Sequence, residues 1–431
     1  MSETLRIGVA GLGTVGAGTL QLLQTHYEMI AQRGGRPLLV TAVAARDRRK
    51  DRGVDLSGVR WFEDPVALAR DPEIDVVIEL IGGANGVAKE AVETALASGK
   101  HVITANKAMI AHHGTALARA AEAGGVVLAC EAAVCGGIPV IKSIREGLAG
   151  NAIEGVHGIL NGTSNFILSD MRSSGREFGE VLAEAQALGY AEADPAFDVD
   201  GIDAAHKLAI ITALAYNCHV DIDGVYMEGI REVSAVDIDF AEELGYRIKL
   251  LGIARRTDGG VEQRVHPCMV RKDAPIANVE GVDNAVVATG DFVGTTLFEG
   301  QGAGAGPTAS AVMADLIDIA RGARLPTFAV AASALETLPS RPMSERQGSY
   351  YLRLMCRDQA GVIAEITRIL RDEDISVESM VQRGRGPQGE AVPVVITTHE
   401  TDEAAMQRAL TRIGELPVVL EVPRTIRIET L

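Results

Sequence analysis

The sequence is short of several things, and each shortage closes off a class of function. Basic residues are outnumbered: 41 Lys and Arg face 58 Asp and Glu, a net charge of -17. A nucleic-acid partner needs basic patches, so none is expected. No uninterrupted apolar stretch approaches the roughly 20 residues of a membrane helix, so no membrane partner is expected either. The opening MSETLRIGVAGLG has no basic segment followed by a long apolar run. It reads as neither signal peptide nor anchor. Cysteines are few and odd in number: Cys130, Cys135, Cys218, Cys268 and Cys356, none in CxxC spacing. That pattern excludes a disulfide frame and a zinc site, and it fits a reduced, cytoplasmic protein. Aromatics make up only 4%, while glycines number 47, which directs attention to glycine turns in an α/β scaffold. Internal repeats and low-complexity tracts are also missing.

What is present suffices for several cores, since 47% of 431 residues are hydrophobic, and the length suggests two or three domains. LRIGVA (5–10), LLVTAVA (38–44), DVVIEL (75–80), HVITA (101–105) and VVLAC (126–130) read as buried parallel strands. Helical runs such as AGTLQLLQTHYEMIAQ and AKEAVETALASG lie between them. This alternation predicts an α/β doubly wound, Rossmann-type sheet over 1–135, completed by a helix from about 303–335. From 136 to 302 the pattern becomes α+β: AIEGVHGILNG, RVHPCMV and AVVATGDFVG read as strands, AEELGYRIKLLGIA as helix. The polar 336–348 stretch, with two prolines, reads as a linker. Segments from YYLRLMC to VVLEVPRTIRIE follow a βαββαβ order, predicting a small separate ferredoxin-like module over 349–431.

Gly11-Leu-Gly13-Thr14-Val15-Gly16 follows the first strand and opens a helix. Its glycines suit a tight turn, close approach of a pyrophosphate, and close helix packing, with phosphates on the helix N-terminus. The second strand ends in Arg46, Asp47, Arg48, Arg49 and Lys50. Arg46 and Lys50 can hold a 2′-phosphate, favouring NADP, while Asp47 can serve NAD. Both cofactors stay open. Lys107 directly follows a predicted strand, where open α/β sheets bind ligands.

EADPAFDVDGIDAAHK (192–207) crowds five carboxylates ahead of one lysine. A helix beginning at Gly201 makes Asp203 and Lys207 i,i+4 neighbours in the favourable acid-first order. Asp198 and Asp200 fall before its positive end; Asp194 and Asp200 suit capping or solvent. The competing reading is a solvated acidic loop. The apolar AAHKLAIITALAY argues instead for a buried helix, on which a lysine needs a reason. Burial lowers a lysine pKa and nearby acids raise it, and spacing leaves that balance open. His206 points away from its neighbour and reads as structural.

The stretch 185–207 of the form A-x3-G-Y-x-E-x-D-P-x2-D-x2-G-x-D-x3-K, with TANK (104–107), EAAVCGGIP (131–139), NGTSN (161–165) and QGAGAGPTAS (301–310), resembles the homoserine dehydrogenases of the long bacterial type. The resemblance covers nearly the whole chain. It implies NAD(P)-dependent interconversion of L-homoserine and L-aspartate 4-semialdehyde in threonine, methionine and isoleucine biosynthesis. By resemblance Lys207 moves the proton, Lys107 stands at the nicotinamide–substrate junction, and Asp203 orients the lysine. Glu192 contacts substrate and Asp198 orients it. NGTSN itself offers a glycine turn at Gly162, whose amides with Thr163 can bind the substrate carboxylate, beside the alternative of ordinary turn chemistry. Gly306 touches cofactor. Glu131 and the carbonyls of Val134, Gly136 and Ile138 match a structural monovalent-cation site, with sodium expected. Cys135 stands in that loop where related sequences often have a smaller residue, which suggests redox sensitivity. DQAGVIAEITRIL (358–370) resembles an ACT turn, with Ala360 where many relatives have proline. It implies a threonine effector near Asp358, Gly361 and Val362, on a helix N-terminus. A homodimer or homotetramer is expected, without a fused aspartate kinase. Two other readings stand beside this one. One is a related semialdehyde or hydroxy-acid dehydrogenase, which a substrate panel separates. The other is a non-catalytic amino-acid sensor, which would be expected to lack Lys207 or its acids.

Overall fold

Runs of Val, Ile and Leu between glycine turns build the first sheet of the computed structural model, which describes residues 3–383 and 391–431. Its strands are β1 (Leu5–Ala10), β2 (Leu38–Ala44), β3 (Arg60–Phe62), β4 (Val76–Glu79), β5 (His101–Thr104) and β6 (Leu128–Ala129). All pair in parallel, in the order β3-β2-β1-β4-β5-β6. Helices α1 (Thr14–Thr25), α2 (Tyr27–Gly34), α3 (Pro65–Arg70), α4 (Val87–Ala97) and α5 (Lys107–Ala123) complete the unit. The helical run expected through Gln32 breaks at His26. The chain order reverses between β1 and β4, so a crevice opens beyond their carboxyl ends, where such sheets bind ligands.

The second unit carries α6 (Val140–Lys142), β7 (Ile153–Ile159), α7 (Gly162–Ser174), α8 (Phe178–Ala187), α9 (Ala196–Val199), α10 (Ile202–Tyr216), β8 (Tyr226–Met227) and α11 (Ala235–Glu243). Then come β9 (Tyr246–Thr257), β10 (Gly260–Arg271), β11 (Asp283–Gly290) and β12 (Gly294–Gln301). The helix expected over AEELGYRIKLLGIA is a correction: α11 stops at Glu243 and the rest is β9. Gly245, at φ +85°, ends the helix. The apolar run beyond is a central strand paired with β7 and β10, and a short apolar run looks alike in either state. α12 (Ala305–Arg321) returns to the first unit, its Val312, Leu316 and Ile319 sharing a core with Ile7 and Val9. Among the described residues no helix is long and apolar enough to cross a membrane.

The terminal unit runs β13 (Gln347–Arg357), α13 (Val362–Asp372), β14 (Val377–Gln382), β15 (Ala391–Thr398), β16 (Thr401–Asp402), α14 (Glu403–Gly414) and β17 (Arg424–Glu429). The strand expected over 375–384 is β14, which ends at Gln382, and Gly384 lies outside the described residues. The ferredoxin-like order is as expected, but the unit is not separate. β17 pairs in parallel with β10, Cys268 opposite Arg427, so one continuous sheet reads β12-β11-β7-β9-β10-β17-β13-β15-β14. The 336–348 connection is pinned too. Ser340 bridges to Val261, and buried Arg346 pairs with Glu429.

Candidate active site

The glycine turn after β1 shows why each glycine is there. Gly11 sits at φ +101°, and a side chain would come within 2.5 Å of the Leu80 carbonyl. At Gly16 it would lie 2.1 Å from the Gly11 carbonyl. Gly13 has open space above it, the side from which a ligand can approach the backbone. A cavity of about 530 Å³ begins here, walled by Gly11, Gly13, Arg46, Lys50, Arg52 and Ile81 among others. Thr14 and Val15 head α1 beside it. Gly306 lies in the first turn of α12, open on its outer side, while the adjacent Ala305 carbonyl would be 3.0 Å from a side chain at Gly18. Neither Thr14, Val15 nor Gly306 forms part of the cavity wall. Arg52, which sequence reasoning passed over, ties the basic loop down. It donates to the carbonyls of Leu12, Lys50 and Asp47 and lies over Trp61. Asp47 turns its carboxylate to the Arg49 amide at 2.8 Å. The bend thus presents Arg46 and Lys50 and occupies its acid, which suits a 2′-phosphate. The glycine cradle and these cations fit a dinucleotide.

The second cluster is made where α10 meets the ends of β5 and β7. Every residue of α10 from Asp203 to Leu214 is buried. Lys207 Nζ donates to Asp203 Oδ2 at 2.7 Å and to the Leu160 carbonyl at 2.6 Å. Lys107, first residue of α5, pairs with the other Asp203 oxygen. Its ammonium stands 5.2 Å from the centre of the Phe197 ring, a cation–π distance. Asn161 Nδ2 joins Asp198 at 2.8 Å and Asp203 at 2.9 Å. The structure therefore brings Lys107, Lys207, Asp203 and Asp198 together.

The balance left open by spacing is now decided. Burial works against the Lys207 charge, but Asp203 outweighs it and holds the pKa above the ordinary lysine value. Burial likewise opposes the Asp203 charge, and the two ammoniums hold that carboxyl well below the usual range. Asp198 is pushed up by burial, with the Asn161 bond pulling the other way. His206 is pushed down to about 4 by burial. Among the described residues the exposed Glu192 carboxylate has no partner, while Asp194 caps Ala196 and Asp200 pairs with Arg231. Thr163 donates to the Tyr190 carbonyl at 2.8 Å, and a side chain at Gly162 would lie 2.4 Å from the Val282 carbonyl. The geometry of this corner was legible in NGTSN only as a turn. The amide of Asn161 and the carbonyl of Leu160 were missed.

Cys135 sits in the loop beside this cluster, buried, at φ +49°, accepting from Asn284 at 3.4 Å. Burial pushes its thiol up, which works against a reactive thiolate. Glu131 is buried, its carboxylate accepting from the amides of Ile141 and Lys142. Burial and Asp315 push its pKa up to about 8. The Ile138 carbonyl accepts from Val140. Both Glu131 oxygens are thus engaged by main-chain amides, and the Ile138 carbonyl by another. In the terminal unit, Asp358 follows β13 and Gly361, at φ +95°, caps α13 just before Val362.

Three family models match the chain. One described as homoserine dehydrogenase, NAD binding domain, covers 11–131; homoserine dehydrogenase covers 139–317; the ACT domain covers 350–417. The chain is 48% identical to a homoserine dehydrogenase of Pseudomonas aeruginosa over the whole of both chains. It is 46% identical to one of Neisseria gonorrhoeae, over all of this chain and 99% of the relative. The crystal structure of a homoserine dehydrogenase from Thiobacillus denitrificans superposes with a TM-score of 0.93 at 48% identity, covering 99% and 98% of the two chains. A hyperthermophilic archaeal homoserine dehydrogenase in complex with NADPH superposes at 0.64 with 26% identity, covering 76% of this chain and all of that one.

Proposed function

The chain belongs to the homoserine dehydrogenase family, an NAD(P)-dependent oxidoreductase, and from that premise we propose that Lys207 is the proton donor and acceptor in the interconversion of L-homoserine and L-aspartate 4-semialdehyde. A nicotinamide supplies or receives the hydride when bound. The remaining work falls to side chains. One observation carries the reading: the Lys207 ammonium is buried, and Asp203 and Leu160 take two of its three hydrogens. The third is left for a substrate oxygen. Asp203 keeps the charge in place, so the resting state is set to protonate a forming alkoxide. Homoserine oxidation needs the neutral amine and gains as pH rises. Lys107, partly exposed on the same carboxylate, would stand at the junction of substrate and cofactor. Glu192, whose exposed carboxylate has no partner among the described residues, suits the substrate ammonium through charge-assisted hydrogen bonds. Asp198 orients the substrate, and the Gly162–Thr163 turn takes the carboxylate.

Other parts of the molecule extend this reading. Arg46 and Lys50 favour NADP over NAD. Glu131 with the carbonyls of Val134, Gly136 and Ile138 would hold sodium structurally. The free, buried cysteines suit a reducing cytoplasm. The open edge of β12, with Phe292 90% exposed at its turn, suits a second copy in a homodimer or homotetramer. The turn at Asp358, Gly361 and Val362 suits threonine as a feedback effector, and activity that stays flat on adding threonine removes that part.

The central test is kinetic. Lys207→Ala, assayed with homoserine and each cofactor, is expected to lose kcat by about 10²–10⁴-fold with KM little changed. Retention of wild-type kcat would exclude Lys207.

A further inference from the structure

Between Asp198 and Asp203 stands Asn161, 5% exposed. Its amide has one workable orientation. Oδ1 accepts from the Ser164 amide at 2.7 Å and caps α7. Nδ2 then donates to Asp198 at 2.8 Å and Asp203 at 2.9 Å. Reversed, an oxygen would face two carboxylates. The preceding residue, Leu160, gives its carbonyl to Lys207. One dipeptide leaving β7 therefore touches both acids and the lysine.

We propose that Asn161 is a positioning residue for the reaction: its two N–H bonds hold Asp198 and Asp203 as a fixed fork and keep both ionised side by side. The proposal rests on the reading of Asp203 and Lys207 above. The physical need is specific. Two carboxylates in a buried corner repel, and one tends to take a proton. A neutral double donor serves one oxygen of each without adding charge. Asp203 already holds two ammoniums, so the amide matters more to Asp198. Among the described residues Asp198 is otherwise held only through its backbone: its carbonyl accepts from Ser164 Oγ at 3.0 Å and from the Gly201 amide, and its amide donates to the Pro195 carbonyl. The turn cannot drift to compensate, because Gly162 lies hard against the Val282 carbonyl.

Asn161→Ser separates this role from helix capping, since serine caps about as well as asparagine but offers no second donor. The thermal midpoint is expected to stay close to wild type. kcat/KM for reduction of L-aspartate 4-semialdehyde, the direction that uses the charged lysine, falls about 10- to 100-fold, as lost hydrogen bonds to charged groups imply. The acidic limb of kcat/KM moves up by about one pH unit, because Asp198 then protonates more readily. Asn161→Asp, also a good cap, adds a third carboxylate and moves the limb further; it carries the test if the serine variant does not fold. In an Asp198→Asn background the limb shift disappears. An unmoved limb, or kcat/KM within about twofold of wild type in both variants, overturns the proposal. A wild-type rate for Lys207→Ala would instead overturn the lysine reading beneath it.

Discussion

Two of the buried ionic clusters among the described residues differ in their cations. At the cleft, Asp203 is shared by Lys107 and Lys207. At the seam between β10 and the terminal unit, the cations are arginines. Arg427 grips Glu403 through two nitrogens at 2.6 and 2.9 Å and reaches Glu228 at 2.6 Å. Arg353 takes both oxygens of Asp237, and Arg346 and Arg264 share Glu429. Tyr350 and Tyr351 supply further donors to Glu403 and Asp237. A guanidinium is planar, bidentate and never gives up its proton. An ammonium is a point charge that rotates and can titrate. The seam uses the cation suited to holding, and the cleft the one suited to exchange. Burial of charge is common to both, so burial by itself does not mark a catalytic site; the cation's capacity to exchange a proton is what separates them.

The largest expected effects separate the two clusters. Lys207→Met should cost activity heavily and stability modestly, because Asp203 keeps Lys107 and Asn161. Arg427→Met should do the reverse. It leaves Glu403 buried without its main partner, and breaking such a pair costs about 3–5 kcal/mol. Denaturant melts measure that loss, and turnover per folded molecule should be near wild type. Adding Glu403→Met is expected to restore much of the stability, since an apolar pair can replace a buried ion pair. Should Lys207→Met unfold the chain as readily as Arg427→Met, the contrast between holding and exchange collapses.

How much of this was legible in the sequence follows the range of each interaction. The glycine turn was, because its geometry is local and admits few residues. Asp203 and Lys207 were, because helical spacing alone joins them. Lys107 reached Asp203 only through the fold, since β5 and α10 are far apart in the chain. Asn161 looked like ordinary turn chemistry until both acids converged on it. The seam was invisible: nothing in RVHPCMV or RTIRIE says that β10 and β17 will pair in parallel. That pairing is why a unit expected to be separate is continuous with its neighbour. β9 was misread because Leu250, Leu251 and Ile253 suit a buried strand or a buried helix equally.

A smaller effect sharpens the comparison through pH. Each cluster has a buried histidine with an unpartnered ring nitrogen, His206 at the cleft and His266 at the seam. Burial pushes their pKa values down to about 4 and about 3. In the unfolded chain both take protons near the ordinary histidine value. Their contribution to stability is therefore full above about pH 6.5 and is lost as pH falls towards the folded values. Unfolding should take up protons across that window, at most about 1.4 kcal/mol per pH unit for each histidine. His266 faces Glu429, whose carboxyl is held down to about 2 despite burial by Arg264 and Arg346. That carboxylate adds its own loss only below the ordinary glutamate range. Melting midpoints between pH 6.5 and 5 should fall in the wild type and fall less steeply in His266→Gln, with kinetics unchanged. His206→Gln should flatten the same slope and also alter turnover, since Lys107 and Asp203 influence its ring. Equal slopes in all three proteins would mean that neither histidine stays neutral in the fold, and the contrast would then rest on lysine against arginine alone.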